Sequence, residues 1–272
     1  MLFPEGAVTR TADWRRGNRD RAPRVPPGMT IRLFHVSDLH FGREDEAAVA
    51  RFAEIVRTEK PDAVICTGDL TMRARSHEFA AATEWLKSLG VPVTIEPGNH
   101  DLPYFNPVQR LLDPYKRFAR LAAAMDRPVD LPGVMIVPLK TTARIQPRRL
   151  SWGRVSRSGL IRALALLAEK PAGAIALVTC HHPLVRTDFA GHGDTLGGEG
   201  ALALLAEAGA DAVLSGHVHD AFDVARDAGG RRVRLIGAGT LSERTRTSAP
   251  SFNELRVKDG RLRVEARDVA EP

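Results

Sequence analysis

Residues 211–220 read DAVLSGHVHD: a short apolar run, a glycine, and two histidines one residue apart. In an extended chain residues two apart point to one face. His217 and His219 are therefore expected to project together from the end of a strand. Two imidazoles so placed can hold a metal ion, or they can belong to a solvated turn. The choice depends on whether other strand ends supply partners.

Outward from this stretch the chain alternates. Strands are predicted over 31–36, 62–67, 91–96, 134–139, 174–180, 211–215 and 231–237, with a closing hairpin of 252–258 and 261–267. Its turn, Asp259-Gly260, suits a two-residue type I′ connection. Helices are predicted over 45–59, 76–89, 107–124, 157–169 and 198–208, with Ser76 and Glu199 as start signals. Such alternation predicts an α/β fold built from βαβ units with largely buried strands.

The 272 residues, 43% hydrophobic, are enough for a full core. No apolar stretch reaches the roughly 20 residues that cross a bilayer, and Arg15-Arg16 is not followed by the apolar segment of an export signal. Cys66 and Cys180 make no disulfide framework and read as small strand-end residues in a reducing compartment, so a cytoplasmic location is expected. The net charge of +6 invites a nucleic-acid reading, yet residues 1–28 hold six arginines against Glu5, Asp13 and Asp20. The remainder is only mildly basic, which disfavours nucleic acid as partner. Residues 1–28 lack periodicity and end in Pro-Pro-Gly. They are expected to be a disordered leader upstream of a natural start at Met29, before one domain over 29–272.

The polar residues that interrupt the pattern share one address. SDLH (37–40), TGDL (67–70), PGNHD (97–101), CHHP (180–183) and SGHVHD (215–220) each follow a predicted strand. Sites in open α/β sheets form outside the carboxyl ends of strands, so these segments should converge. Asp38, His40, Asp69, Asn99, His181, His217 and His219 supply oxygen and imidazole donors without thiolate. Such a set suits Mn, Fe, Zn or Co. Seven donors exceed one tetrahedral centre but suit two ions that share a carboxylate.

In this order, D-x-H, G-D, G-N-H-D, H and G-H-x-H resemble the calcineurin-like metallophosphoesterase superfamily. The resemblance implies a four-layer α/β/β/α sandwich with two mixed sheets. It implies one divalent ion on Asp38, His40, Asp69 and His219, and a second on Asp69, Asn99, His181 and His217. His100 is then catalytic, touching phosphate or protonating the leaving oxygen, with Asp101 orienting it. The implied reaction is in-line attack on a phosphoester by a metal-bridging hydroxide.

Other polar residues are less determined. His182 and Arg73 are candidates for substrate contact, a purely structural role being the alternative for His182. Arg75, Arg144, Arg148, Arg149, Arg154, Arg244 and Arg246 suit phosphate through their planar fork, but charge runs of this kind are usually solvated faces. His192, in a Gly-rich loop, is a candidate pocket residue, and His35 and His77 read as structural. GDLTMRA departs from the G-D-x-V-D-R-G of protein serine/threonine phosphatases. His100 departs from the arginine of the enzyme that cleaves UDP-diacylglucosamine. The nearest resemblance is to bacterial class III cyclic-nucleotide phosphodiesterases, whose substrate would be a small ester such as a 3′,5′-cyclic nucleotide. A nuclease-like phosphodiesterase and a non-catalytic protein-binding scaffold remain as alternatives.

Overall fold

A computed structural model describes residues 28–125, 129–146, 149–186 and 195–270. The strands are β1 (Thr30–Val36), β2 (Ala63–Cys66), β3 (Val93–Ile95), β4 (Val134–Pro138), β5 (Gly153–Arg154), β6 (Ile175–Thr179), β7 (Thr195–Leu196), β8 (Ala212–Ser215), β9 (Phe222–Ala228), β10 (Arg231–Gly237), β11 (Ser251–Lys258) and β12 (Arg261–Asp268). The helices are α1 (Glu46–Glu59), α2 (Ser76–Ser88), α3 (Pro107–Leu112), α4 (Lys116–Ala124), α5 (Arg157–Leu167) and α6 (Gly198–Glu207).

Period-2 alternation explains why these elements stack in four layers. In β1, Ile31 and Leu33 face a core shared with Leu177 of β6 and Leu214 of β8, while Phe34 and Val36 face the core beneath α1 and α2. β2 divides the same way, Ala63 and Ile65 inward, Val64 and Cys66 toward the helices. In β6 and β8, Ile175, Leu177, Ala212 and Leu214 line the central core, whereas Ala176, Val178 and Val213 pack with α5 and α6. Each central strand thus buries both faces, one against the other sheet and one against helices. The α/β/β/α sandwich follows.

Both sheets are mixed. One has the order β12-β11-β1-β2-β3, parallel across β1-β2-β3; the other runs β4-β6-β8-β10-β9, parallel except for the β10-β9 pair. The parallel strands send their carboxyl ends to one edge, where the polar segments gather. The β11-β12 hairpin pairs Lys258 with Arg261, and Asp259 and Gly260 both take positive φ, as a type I′ turn requires.

Several expectations are corrected. The helix expected over 107–124 is two helices, because Pro114 has no N–H to donate and its ring obstructs the preceding turn. β9 was not anticipated; its alternate buried and open residues make it an edge strand beside β10. α2 does start at Ser76, where Glu78 Oε2 accepts from the backbone N–H groups of Arg73 and Arg75. The leader up to residue 27, Arg148 and His192 lie outside the described residues. No helix among the described residues is long and apolar enough to cross a membrane.

Candidate metal centre

The loops after β1, β2, β3, β6 and β8 meet at the carboxyl edge and are fastened to one another by their backbones. Asp38 N–H donates to Gly68 O at 2.9 Å, and His40 N–H to Asp69 O at 2.9 Å. Two glycines permit this approach. A Cβ on Gly98 would overlap Asp69 Oδ1, and one on Gly216 would overlap Ser37 Oγ. The same crowding bends the chain at the donors: Asp38, His40, Asp69, His217 and His219 all have φ between 48° and 71°. Non-glycine residues enter this left-handed region at a cost, and clusters of them mark sites held by their surroundings.

That conformation corrects the expectation for the opening stretch. β8 ends at Ser215, and His217 and His219 are in a turn, so extended-strand alternation does not apply to them. Their rings part company. His219 joins Asp38 and His40, while His217 lies with His181 and His182.

Each carboxylate uses one oxygen for the scaffold and turns the other inward. Asp38 Oδ2 accepts from His217 N–H at 2.8 Å, and Asp69 Oδ1 accepts from His100 N–H at 2.7 Å. Asp38 Oδ1 lies 3.2 Å from His219 Nε2 and 3.6 Å from His40 Nε2, and these two imidazole nitrogens face each other at 3.2 Å. Asp69 Oδ2 lies 3.7 Å from His40 Nε2 and 3.3 Å from His181 Nε2, and the latter is 3.2 Å from Asn99 Oδ1. Asp69 Oδ2 thus stands between two groups of donors.

The far nitrogens fix the rings. His181 Nδ1–H donates to Thr67 O at 2.8 Å, and His219 Nδ1–H donates to Arg244 O at 2.6 Å. Both Nε2 lone pairs are left pointing inward, the usual arrangement for metal-binding imidazoles. Burial alone would raise the Asp69 carboxyl, but His181, His100 and His40 more than offset it and hold the group ionised. Burial alone would lower His181, yet the charge of Asp69 pushes it up to about 9.

A divalent cation fits this donor set. Asp38 Oδ1 is buried without a hydrogen-bond partner, and the donor atoms of Asp38, His40 and His219, and those of Asp38, Asp69 and His181, lie within 4.8 Å of one another. Buried acceptors with no donor are costly, and a cation is the group that satisfies all of them together.

The remaining candidates divide. His100 is at the cleft, but its Nδ1–H donates to Met72 O at 2.7 Å, not to Asp101. Asp101 instead accepts from the N–H groups of Leu70, Thr71 and Gly98 and from Thr71 Oγ1. The orienting role expected of Asp101 is therefore corrected. It clamps the GNHD turn to the loop that carries Asp69. His182 is also corrected: it is 1% exposed, with Nε2–H donating to Ser151 O at 3.1 Å and Nδ1 paired with Thr141 Oγ1 at 3.0 Å. Both ring nitrogens are engaged within the protein, and burial with the neighbouring His217 and His181 holds the ring neutral. Arg73 is exposed, its guanidinium 5.6 Å over the Phe105 ring, and does not line the cleft. His35 bonds Thr67 and Asn253 and is structural, and the buried Cys66 and Cys180 are free.

The cleft over the donors has a volume of about 200 Å³, walled by His100, Arg149, Ser151, Trp152, Arg244 and Arg246. Sequence reasoning missed Ser151 and Trp152. They follow no predicted strand, and nothing in the sequence pattern marks them.

A two-sheet sandwich with carboxylate, amide and imidazole donors gathered around one shared aspartate defines a phosphoesterase of the dimetal class. The comparisons agree: residues 31–221 match the calcineurin-like phosphoesterase family, and the chain belongs to it. It is 27% identical over 209 residues to a probable cyclic nucleotide phosphodiesterase from Synechococcus sp., covering 71% of this chain and 75% of that one. A glycerophosphodiester phosphodiesterase from Enterobacter lignolyticus is 33% identical over 92 residues, which are 28% of this chain and 33% of that protein. In fold the chain is similar to a dimetal phosphatase from Danio rerio, with a TM-score of 0.64 at 15% identity, covering 89% of this chain and 97% of that one.

Proposed function

We propose that this phosphoesterase hydrolyses a small organic phosphodiester, with a 3′,5′-cyclic nucleotide as the candidate substrate. The observation that carries the reading is the pair of donor groups flanking Asp69 Oδ2, with His100 Nε2 turned into the same cleft. On this reading Asp38, His40, Asp69 and His219 hold one divalent ion, and Asp69, Asn99, His181 and His217 hold the other. Ions bound there would lower the pKa of water and offset the charge of a phosphoryl group.

The chain's own residues do the rest. Met72 O holds His100 Nδ1–H, so Nε2 is the nitrogen that meets the substrate. On this reading Nε2 would contact the phosphoryl oxygens or deliver a proton to the departing alkoxide. Asp101 keeps the turn that presents His100 in register with Asp69. A cleft of about 200 Å³ admits a phosphoryl group. An adjoining cavity of about 490 Å³, which shares Trp152 with it, leaves room for an organic leaving group. The likeness to a protein described as a probable cyclic nucleotide phosphodiesterase supports that choice of diester.

The test is hydrolysis of bis(p-nitrophenyl) phosphate during titration with Mn, Fe, Zn or Co, followed by a panel of 3′,5′- and 2′,3′-cyclic nucleotides beside single-stranded DNA. Metal-dependent turnover with preference for a cyclic nucleotide is expected. Preference for DNA would support a nuclease, and no turnover with any ion would support a binding scaffold.

A further inference from the structure

We propose that Arg244 grips the phosphoryl group of the substrate, at the head of a loop whose shape is set by the metal-site segments themselves. The proposal rests on the phosphoesterase reading for the identity of its ligand.

The loop follows β10, and its first half is a chain of hydrogen bonds. Thr240 Oγ1 donates to the backbone carbonyl of Asp38 at 2.7 Å, Ser242 N–H donates to Thr240 Oγ1 at 3.1 Å, and Arg244 N–H donates to Ser242 Oγ at 3.3 Å. Thr240, Leu241 and Ser242 are buried. At the far end Asp220, next to His219, accepts from Thr247 N–H, Ser248 N–H and Ser248 Oγ. Arg244 itself supplies the carbonyl that fixes His219. The loop is therefore tied to residues 38, 219 and 220, and the Arg244 side chain starts from a fixed base.

From that base the guanidinium reaches the middle of the site. One terminal nitrogen lies 3.2 Å from His40 Nε2 and 3.2 Å from His100 Nε2, between a candidate metal ligand and the candidate acid. A phosphoryl group acted on by both must pass this point. The planar fork of arginine matches two phosphate oxygens.

Charge points the same way. Arg149 and Arg246 line the cleft with Arg244, and the one acid in its wall is Asp69. Among the described residues none of these three arginines pairs with a carboxylate, whereas Arg32, Arg234 and Arg267 elsewhere do. Three cations that pair with no described carboxylate, around a small cleft, draw an anion into it. Arg149 and Arg246, exposed at the rim, add attraction; Arg244, half-buried, makes the contact.

The experiment titrates metal-loaded protein with inorganic phosphate by calorimetry, comparing wild type, Arg244→Ala and Arg244→Lys. Metal content and Tm are measured on each. Arg244→Ala should weaken phosphate binding by about 10- to 100-fold, as for loss of a charged hydrogen bond. Metal content and Tm should stay, because His219 is held by the backbone carbonyl. Lysine, which keeps the charge but lacks the fork, should restore part of the affinity. The KM for bis(p-nitrophenyl) phosphate should rise in parallel. Phosphate affinity unchanged in Arg244→Ala, no phosphate binding by wild type, or loss of metal from the variant would each overturn the proposal. Phosphate held through Arg244 by a protein that hydrolyses no diester would instead refute the proposed function and leave this inference standing.

Discussion

Replacing Glu96 with glutamine should stabilise the metal-free protein, and more so as pH rises. Glu96 follows β3 and its Oε1 accepts from Thr179 Oγ1 at 2.8 Å, so it links the end of one sheet to β6 of the other beneath Asn99 and His181. Burial pushes its carboxyl up to about 8 from an ordinary 4.5, against weaker opposition from Thr179 and the charge of Lys140. Near neutrality the folded chain keeps a proton that the unfolded chain releases. Stability from this group is therefore full below pH 4.5 and is lost as pH rises toward 8. Linkage puts the loss at about 3 kcal/mol by pH 7, most of which develops above pH 5. Glutamine can still accept from Thr179 and has no proton to lose. The Tm difference between variant and wild type should thus widen by about 5–10 °C from pH 5 to pH 7. Differential scanning calorimetry on both proteins in parallel cancels the titration of the histidines. A difference that stays flat across this range would show Glu96 ionised in the fold and refute the reasoning.

Asp69→Asn should lower metal content below two ions per chain and cut turnover more than about 100-fold, beyond the usual cost of altering a partner one shell further out; two ions retained by elemental analysis would end its bridging assignment. His100→Ala should keep both ions yet lose about 10²–10⁴ in kcat. The loss should be larger for a ribose alkoxide leaving group than for p-nitrophenolate, and equal losses in steady-state assays would argue for phosphate contact over proton transfer. Gly216→Ala should cost about 1–3 kcal/mol in urea unfolding and weaken metal binding, since its Cβ would strike Ser37 and Asp38; wild-type values for both would contradict the tight approach of the two loops.

By itself the sequence determined the α/β class and the address of the site. Apolar runs in IRLFHV and AVIC specify strands buried on both faces, and the two-sheet sandwich was implied by the resemblance that the strand-end motifs carry. Asp, Asn and His placed just after successive strands specify one edge, because parallel strands share a direction. Side-chain roles at that edge are another matter. In CHHP, His181 and His182 are equivalent as letters, and only Thr141 and Ser151, distant in the chain, turn His182 inward. His217 and His219 obey local alternation until the contact of Gly216 with Ser37 forces a left-handed turn and sends their rings to different donor groups. Arg73 and Arg244 both follow a motif loop at similar spacing. Arg73 ends over Phe105 at the surface, whereas Thr240 and Ser242 fold the other loop back so that Arg244 meets His100. Periodicity reports which face a residue occupies within its own element. The direction of a side chain in a loop is set by hydrogen bonds to segments far away in sequence, and these exist only once the two sheets have packed.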